Sequence, residues 1–326
     1  MSHLLRSTAS RPLTLLLLGL LTTSPLRAGE IVAWGDDGRG LVSGAPSGDD
    51  FTAIAADGFN AYALRADGSI VAWGEDNHGQ VSGAPVGTGF TAIFAGFRKA
   101  CALRADGSIV AWGDDGRGEV SGTPTDSGYK AVAFTHFNTY ALRADGSIAC
   151  WGLFGDPGTP TGAGFTAIAA NEVNVYALRA DGSIVAWGDD YFGLVSGAPT
   201  GAGFTAVAPG VFSNLALGAD GSIATWGQNN EGQVSDKPTA TGFTAIAAGG
   251  YSRYALGADG SITAWGGDYY GMVSNTPTGT GFTAIAAGNY TAFALRDAAV
   301  PEPSSLDAAG TASILLAAAA IRRRRA

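Results

Sequence analysis

Residues 61–74 read AYALRADGSIVAWG, and variants of this stretch recur along almost the whole chain. The tryptophan sets the register of the repeat, with spacings of 39, 39, 39, 36, 39 and 39 residues between Trp34, Trp73, Trp112, Trp151, Trp187, Trp226 and Trp265. A fixed period near 40 residues with strand-like content is typical of propellers and solenoids. The sequence therefore predicts an all-β repeat protein.

Each copy predicts three strands and a short outer one. In the first full copy the strands are residues 51–57, 61–65 and 69–73, and Gln80-Val81-Ser82 is the expected outer strand. Asp67-Gly68 predicts a type I′ hairpin turn, which needs positive φ at both central positions. The middle strands are almost continuously apolar, as expected for sheets packed on both faces. The alanine-rich first strands suit a crowded inner edge around an axis.

The first and last copies are incomplete and complement each other. Residues 282–297 (FTAIAAGNYTAFALRD) supply two strands and lack the third, and residues 30–35 (EIVAWG) supply only a third strand. Their pairing would leave no open sheet edge, which repeat proteins must otherwise protect. We therefore expect residues 29–299 to form a seven-bladed β-propeller closed by pairing of the N- and C-terminal strands.

The repeat resembles that of the regulator of chromosome condensation family. The resemblance rests on AGx5ALxxDGSIxxWG at residues 248–266 and WGxNxxGQV at residues 226–234, and it covers residues 30–299. It implies a seven-bladed propeller. The family's usual histidine before the Ala-Leu strand is replaced, by Asn60, Lys99, Asn138, Asn174, Ser213, Ser252 and Thr291. Bacterial members include a secreted β-lactamase inhibitor, which implies protein binding without catalysis.

Both ends predict export. Residues 1–28 have the features of a signal peptide: Arg6 and Arg11, the apolar run 13–21, and a cleavage site after Ala28. Residues 300–326 resemble the PEP-CTERM sorting tail of Gram-negative bacteria, because a Pro-Glu-Pro triplet precedes an apolar segment (308–321) and an arginine cluster. The matching residues are Pro301, Glu302, Pro303, Arg322, Arg323, Arg324 and Arg325. The resemblance implies an exosortase-type processing enzyme as partner, transient membrane association, and delivery to the cell surface or extracellular matrix; a disordered Ala-rich tail is the alternative.

Composition argues against several activities. Residues 29–299 carry 12 basic and 26 acidic side chains, a net charge of −14, which would repel a nucleic acid. The three histidines have no Cys or His partners at metal-ligand spacing, and no nucleophile elbow, phosphate loop or zinc-protease motif is present. We expect no catalytic residue, metal or cofactor. Export permits a disulfide between Cys101 and Cys150, and two buried free thiols are the expected state.

The candidate contact surface lies in loops that vary between copies. The loops after the first strands and after Trp-Gly should share one face, and three of the latter carry paired large apolar residues. Clustered aromatic residues on a surface are typical interface anchors. The candidate ligand-binding residues are Phe154, Tyr191, Phe192, Tyr269 and Tyr270, with rings folded back over the blade edge as the alternative.

A neighbouring repeat position is also aromatic. It carries Phe59, Phe137, Phe212, Tyr251 and Tyr290, whose regular recurrence favours packing, and Arg98-Lys99 beside it is expected to be a solvated edge.

The sequence thus predicts an exported, non-catalytic scaffold that binds a protein or polysaccharide ligand at the cell surface or in the matrix of a Gram-negative-type bacterium. Alternatives are a secreted polysaccharide-active lyase or hydrolase, and a secreted protein inhibitor.

Overall fold

The computed structural model describes residues 28–153 and 158–297, and these residues form an all-β protein. The predicted signal peptide up to residue 27, the sorting tail with Pro301 and Arg322–Arg325, and the candidate contact residue Phe154 lie outside the described residues. The described part contains no helix with the length and apolarity needed to cross a bilayer.

The strands form seven three-stranded antiparallel units. Unit 1 contains β2 (Phe51–Ala56), β3 (Asn60–Arg65) and β4 (Ile70–Gly74); unit 2 contains β5 (Phe90–Gly96), β6 (Lys99–Arg104) and β7 (Ile109–Gly113). Unit 3 contains β8 (Tyr129–Phe134), β9 (Asn138–Arg143) and β10 (Ile148–Gly152); unit 4 contains β11 (Phe165–Ala170), β12 (Asn174–Arg179) and β13 (Ile184–Gly188). Unit 5 contains β14 (Phe204–Pro209), β15 (Ser213–Gly218) and β16 (Ile223–Gly227); unit 6 contains β17 (Phe243–Ala248), β18 (Ser252–Gly257) and β19 (Ile262–Gly266). Unit 7 contains β20 (Phe282–Ala287), β21 (Thr291–Asp297) and β1 (Gly29–Gly35).

Unit 7 is assembled from both ends of the described chain. β1 pairs with β21 over seven positions, from Gly29 opposite Asp297 to Gly35 opposite Thr291. A single bridge from Gly29 to Phe51 then connects unit 7 to unit 1. The N-terminal strand therefore satisfies the edge that β21 would otherwise expose.

The first strand of each unit lies innermost. The first strands of consecutive units contact one another in chain order, and β20 contacts β2. The middle strands are buried at their first five positions in every unit, as their apolar sequences predict. The alanines of the first strands allow the seven inner edges to approach the axis.

The tryptophans hold neighbouring units together. Trp112 Nε1 donates to the Gln80 carbonyl, 2.9 Å away in the link that leads into its unit. Its ring packs edge-on against Tyr62 of the preceding unit, with centroids 5.6 Å apart. The same bond, at 2.8–3.0 Å, is made by Trp34, Trp73, Trp151, Trp226 and Trp265. The tryptophans are thus packing anchors between units.

The hairpin prediction was right about position and wrong about turn type. Positive φ occurs at Gly68 (79°) and not at Asp67. Gly68 N–H donates to the Arg65 carbonyl and Arg65 N–H donates to the Ser69 carbonyl, both at 2.9 Å. This is the pattern of a three-residue loop that ends in a left-handed glycine. The Asp67 carboxylate accepts the Ser69 N–H (2.8 Å), so it stabilises the loop without needing a left-handed backbone of its own.

The predicted outer strand is absent from the described residues. Gln80-Val81-Ser82 lies in a series of turns, because the Asp76 carboxylate accepts the N–H groups of both Val81 and Ser82 at 2.9 Å. Equivalent pairs of bonds are made by Asp37, Asp115, Asp190, Asn229 and Asp268. These side chains accept hydrogen bonds from the backbone N–H groups that would otherwise pair with a neighbouring strand.

The expectation that Lys99 belongs to a solvated edge was wrong. Lys99 and Glu119 are both buried, and their charged atoms are 2.8 Å apart. They replace Asn60 and Gln80, which hold the same positions in unit 1 and are fully buried there. Two buried neutral residues in unit 1 are thus replaced by a buried ion pair in unit 2.

Both cysteines are free thiols. Cys101 is buried against the core of units 2 and 3, and burial raises the pKa of its thiol. Cys150 is half-buried rather than buried, and its sulfur accepts a bond from the Asn138 side-chain amide at 3.4 Å.

The ion pair of unit 2 yields a test of stability. Lys99→Asn should lower the free energy of unfolding by about 3–5 kcal/mol, because Glu119 would remain buried without a cation. The double variant Lys99→Asn/Glu119→Gln places the two neutral residues of unit 1 at these positions and should recover most of the loss, because no unpaired charge remains buried. Denaturant unfolding of the three proteins measures the effect, and additive losses in the double variant would contradict it.

Candidate functional site

The loops of the described residues lie on two faces. The loop face carries the connections after the first strands and after Trp-Gly, which bond to each other, as where Glu75 N–H donates to the Phe59 carbonyl (3.1 Å). The turn face carries the Asp-Gly-Ser turns, which bond to the start of the next unit, as where Phe90 N–H donates to the Gly68 carbonyl (3.1 Å). Both described ends, Gly29 and Asp297, lie on the turn face.

The candidate aromatic residues within the described part are exposed. The exposed fractions are 68% for Tyr191, 41% for Phe192, 44% for Tyr269 and 61% for Tyr270. Tyr191 and Tyr270 are mostly exposed, whereas Phe192 and Tyr269 are more than half covered. Leu153, directly before the undescribed Phe154, is 50% exposed on the same face.

These residues belong to one continuous row of rings, which we call the aromatic arc. The arc comprises Tyr191, Phe192, Phe212, Tyr251, Tyr269, Tyr270 and Tyr290. Successive ring centroids lie 4.2–6.1 Å apart, from Tyr191 in the loop after unit 4 to Tyr290 in unit 7. Phe212, Tyr251 and Tyr290 are half-buried and form the base on which the exposed rings rest.

Sequence reasoning assigned those three residues to packing and so missed their place in the surface. Their recurrence at one repeat position was the available signal. It did not reveal that the variable loops above them would contact the same rings.

Two residues of the arc have an unfavourable backbone. Phe192 and Tyr270 have positive φ, 61° and 55°, at equivalent positions of two loops. A left-handed backbone costs a bulky residue roughly 1–2 kcal/mol. Arg39 stands at the equivalent position after β1 and avoids this conformation. Strain held in a surface loop and combined with an exposed ring points to selection for contact rather than for stability.

The other half of the loop face has a different chemistry. Arg39 and Arg98 lie 4.8 and 5.0 Å from the Phe59 ring centroid, and Arg117 lies 4.8 Å from that of Phe137. Arg39 also pairs with Glu75 at 2.6 Å. Units 1 to 3 thus present arginine-covered rings, whereas units 4 to 7 present bare ones.

The arc also contains a polar group tied to a carboxylate. The Tyr269 hydroxyl donates to Glu231 at 3.0 Å, and this bond raises the pKa of the phenol. The exposed half of the arc therefore offers flat apolar faces beside hydrogen-bonding groups, the combination that suits sugar rings and protein hot spots alike.

A small acidic site lies at the loop-face mouth of the central channel. Asp57 is only partly buried as a residue, but its carboxylate accepts the backbone N–H groups of Phe59 (2.6 Å), Asn60 (2.7 Å) and, across the unit boundary, Arg98 (3.1 Å). Burial nevertheless raises the pKa of Asp57 to about 7. Asp57 therefore links units 1 and 2 and titrates near neutrality.

The channel along the axis is apolar. Its cavity of about 250 Å³ is lined by the first strands of all seven units, mainly by alanine with Ile, Val and Phe. Residues 28–153 and 158–297 contain no group of three or more His, Cys, Asp or Glu side chains that could hold a metal ion.

The fold matches solved propellers. The ectodomain of the receptor kinase CR4 from Physcomitrella patens is 25% identical, covering 76% of this chain and 71% of its own, with a TM-score of 0.64. Yeast RCC1 (Prp20), solved bound to Kap60, is 15% identical; the match covers 92% of this chain and 96% of the yeast chain, with a TM-score of 0.70. Human WBSCR16 is 15% identical; the match covers 84% of this chain and 100% of the human chain, with a TM-score of 0.65.

These similarities show an RCC1-like propeller fold. No protein-family model matches the chain, and neither does any curated protein.

Asp57 yields a prediction on pH. The Asp57 carboxyl has the ordinary pKa of 3.8 in the unfolded chain and a pKa of about 7 in the folded protein. Between about pH 4 and 7 the folded protein therefore binds a proton that the unfolded chain releases. The free energy of unfolding accordingly falls as the pH rises through this range. Asp57→Asn, which mimics the protonated acid, should remove the loss. Unfolding free energies measured from pH 4.5 to pH 8 should therefore increasingly favour the variant over wild type. A difference that stays constant with pH would contradict this.

Proposed function

We propose that this protein is an exported, non-catalytic binding scaffold: a closed seven-bladed RCC1-like propeller that captures its ligand on the aromatic arc. The observation that carries the proposal is the exposure of four large rings in one continuous row. An exposed aromatic cluster on a soluble protein marks an interaction surface more often than it contributes to stability. The strained backbone at Phe192 and Tyr270 adds a second, independent argument.

Two contacts in the described residues support closure of the propeller. The N-terminal strand completes unit 7, and the innermost strands of units 7 and 1 touch. A wheel of this kind holds its loops in fixed relative positions, which lowers the entropy that a ligand must overcome on binding.

The targeting signals predicted at the two ends of the chain are consistent with this role. We propose that residues 1–28 direct export, and that residues 300–326 are recognised by an exosortase-type enzyme, with transient anchoring in the inner membrane. Both described ends lie on the turn face. A protein held through its C-terminal segment would therefore present the loop face, with the aromatic arc, away from the anchor.

The arc can be tested directly. Tyr191→Ala/Tyr269→Ala should abolish capture of ligand from the producer's envelope and matrix material, because it removes two exposed rings. The melting temperature should be unchanged, since neither ring is buried. Val86→Ala is the matched control, because Val86 is 99% exposed and not part of the arc. Capture that survives the double substitution would count against the proposal.

Treating the captured material with protease or with periodate distinguishes a protein ligand from a polysaccharide. Turnover of an exopolysaccharide that is lost on Asp→Asn changes in a single loop would instead indicate an enzyme.

The sorting tail has its own test. Replacing Pro301, Glu302 and Pro303 by alanine should leave the protein in the membrane fraction, because the processing enzyme would lose its recognition motif, and wild type should reach the surface or medium. Fractionation of the producing cells measures the outcome. Identical distributions of the two proteins would argue that the tail is not a sorting signal.

A further inference from the structure

The turn face has a contact that is repeated in five of the seven units. Each first strand begins with an aromatic residue, and the last residue of the middle strand lies opposite it. In units 1, 2, 3, 4 and 7 that opposite residue is an arginine whose guanidinium covers the ring at 4.6–5.8 Å. The pairs are Arg65 on Phe51, Arg104 on Phe90, Arg143 on Tyr129, Arg179 on Phe165 and Arg296 on Phe282.

Units 5 and 6 lack this cover. Gly218 lies opposite Phe204, and Gly257 lies opposite Phe243. The five covered rings belong to fully buried residues, whereas Phe204 and Phe243 are only half-buried. Within the described residues, no arginine or lysine lies over either ring.

The carboxylates beside these two rings have also lost a cation. In units 1 to 4 the arginine lowers the pKa of the turn aspartate, with hydrogen bonds from the serine as the larger cause. Asp220 and Asp259 keep the serine bonds, which hold their pKa low, but have no arginine near them. A Cβ atom placed on Gly218 or Gly257 would lie 2.8 or 2.7 Å from the aspartate oxygen. Each carboxylate therefore lies close to the glycine Cα, where the stem of the arginine side chain begins in the covered units.

Nearby cations of units 5 and 6 are used elsewhere. Lys237 Nζ donates to the Ile223 carbonyl at 3.0 Å. Arg253 is fully buried between the two units, where its guanidinium binds the carbonyls of Gly249 and Ser213 at 2.8 Å. Neither side chain substitutes for the missing arginines.

We propose that Phe204 and Phe243 form two adjacent seats for guanidinium groups, and that the occupant is a peptide segment of a partner protein that carries at least two arginines. Units 1 to 4 show that this fold accommodates a guanidinium on that ring beside an aspartate. A ring face and an ionised carboxylate together favour a cation over any neutral or anionic ligand. The net charge of −14 on residues 29–299 attracts such a segment to the surface.

The two seats lie side by side. Phe243 N–H donates to the Gly221 carbonyl (3.2 Å), so the turn of unit 5 is bonded to the start of unit 6. An extended peptide can therefore occupy both seats, whereas a single cation can occupy only one. This site is on the turn face and is independent of the ligand proposed for the aromatic arc.

The test uses the full chain and a tetra-arginine peptide in calorimetric titration. Gly218→Arg/Gly257→Arg fills both seats with the side chains that the other units carry. It should weaken peptide binding about ten-fold or more, which corresponds to about 1.4 kcal/mol, because both cation–π contacts with the peptide are lost. Neither glycine has positive φ, and the atoms that a new Cβ would meet are the side-chain oxygens of the turn aspartate and serine, so those side chains must rotate to admit the arginine.

Two controls separate the seats from general charge attraction. Gly38→Arg/Gly116→Arg adds the same two charges at exposed positions of the loop face and should weaken binding far less. Phe204→Leu/Phe243→Leu keeps every charge but removes the ring faces, and should weaken binding as the glycine substitutions do. Tyr191→Ala/Tyr269→Ala should leave binding of this peptide unchanged, whatever its effect on the arc.

If Gly218→Arg/Gly257→Arg and Gly38→Arg/Gly116→Arg weaken peptide binding equally, long-range electrostatic attraction explains the binding and the proposal is overturned. Absence of binding to wild type at millimolar peptide would overturn it outright, as would full binding to the leucine variant with its fold intact.

Discussion

The indole hydrogen bond between units is the interaction on which the rest of the structure depends. Each three-stranded sheet is too small to fold alone, because a few short strands bury little apolar surface without a neighbour. The tryptophan of one unit, exemplified by Trp112, donates to a carbonyl of the link before it and packs against the preceding middle strand. One side chain thus joins two units through both a hydrogen bond and a ring contact. Six of the seven tryptophans make this hydrogen bond within the described residues.

The same kind of contact is also made where the two ends of the chain meet. Trp34 belongs to the N-terminal strand, yet it donates to Met272 and packs edge-on against Tyr254 of unit 6. The contact that joins internal units is therefore also made across the chain ends. Pairing of β1 with β21 supplies the backbone bonds for the same junction. No unit needs a special capping sequence under this arrangement.

Such a scaffold leaves loop chemistry free to vary. In six of the post-Trp-Gly loops, an Asp or Asn three residues after the tryptophan binds two backbone N–H groups, so the positions just after it can change without loss of the loop shape. The residue after Asp37 is Gly38, whereas Asp190 and Asp268 are each followed by two consecutive aromatic residues. Arginine side chains cover aromatic rings on both the loop face and the turn face. Where a unit lacks the arginine, the ring is left partly exposed to solvent. The two surfaces proposed for binding are thus both departures from the repeat, on opposite faces of one rigid frame.

The sequence alone was sufficient for the features that depend on periodicity. The spacing of the tryptophans, the apolar middle strands and the complementary partial copies at the two ends predicted the strands and the pairing of residues 30–35 with the last copy. These features follow from short-range backbone and side-chain preferences that repeat in phase, so each copy confirms the others. The turn type could not be predicted from the sequence, because Asp67-Gly68 is compatible with two hairpin geometries. The two differ in whether the loop contains two residues or three.

Only the tertiary structure decided what each side chain meets in the neighbouring unit. Lys99 appears in sequence as a surface charge, and it is buried because Glu119, twenty residues later, returns beside it. Gln80 begins an apparent strand, yet its carbonyl is needed by the tryptophan of the next unit. Tyr251 appears to be a packing residue until the loop that carries Tyr269 folds onto it. In each case the deciding contact joins residues that are distant along the chain, and periodicity holds no information about an individual contact of that kind.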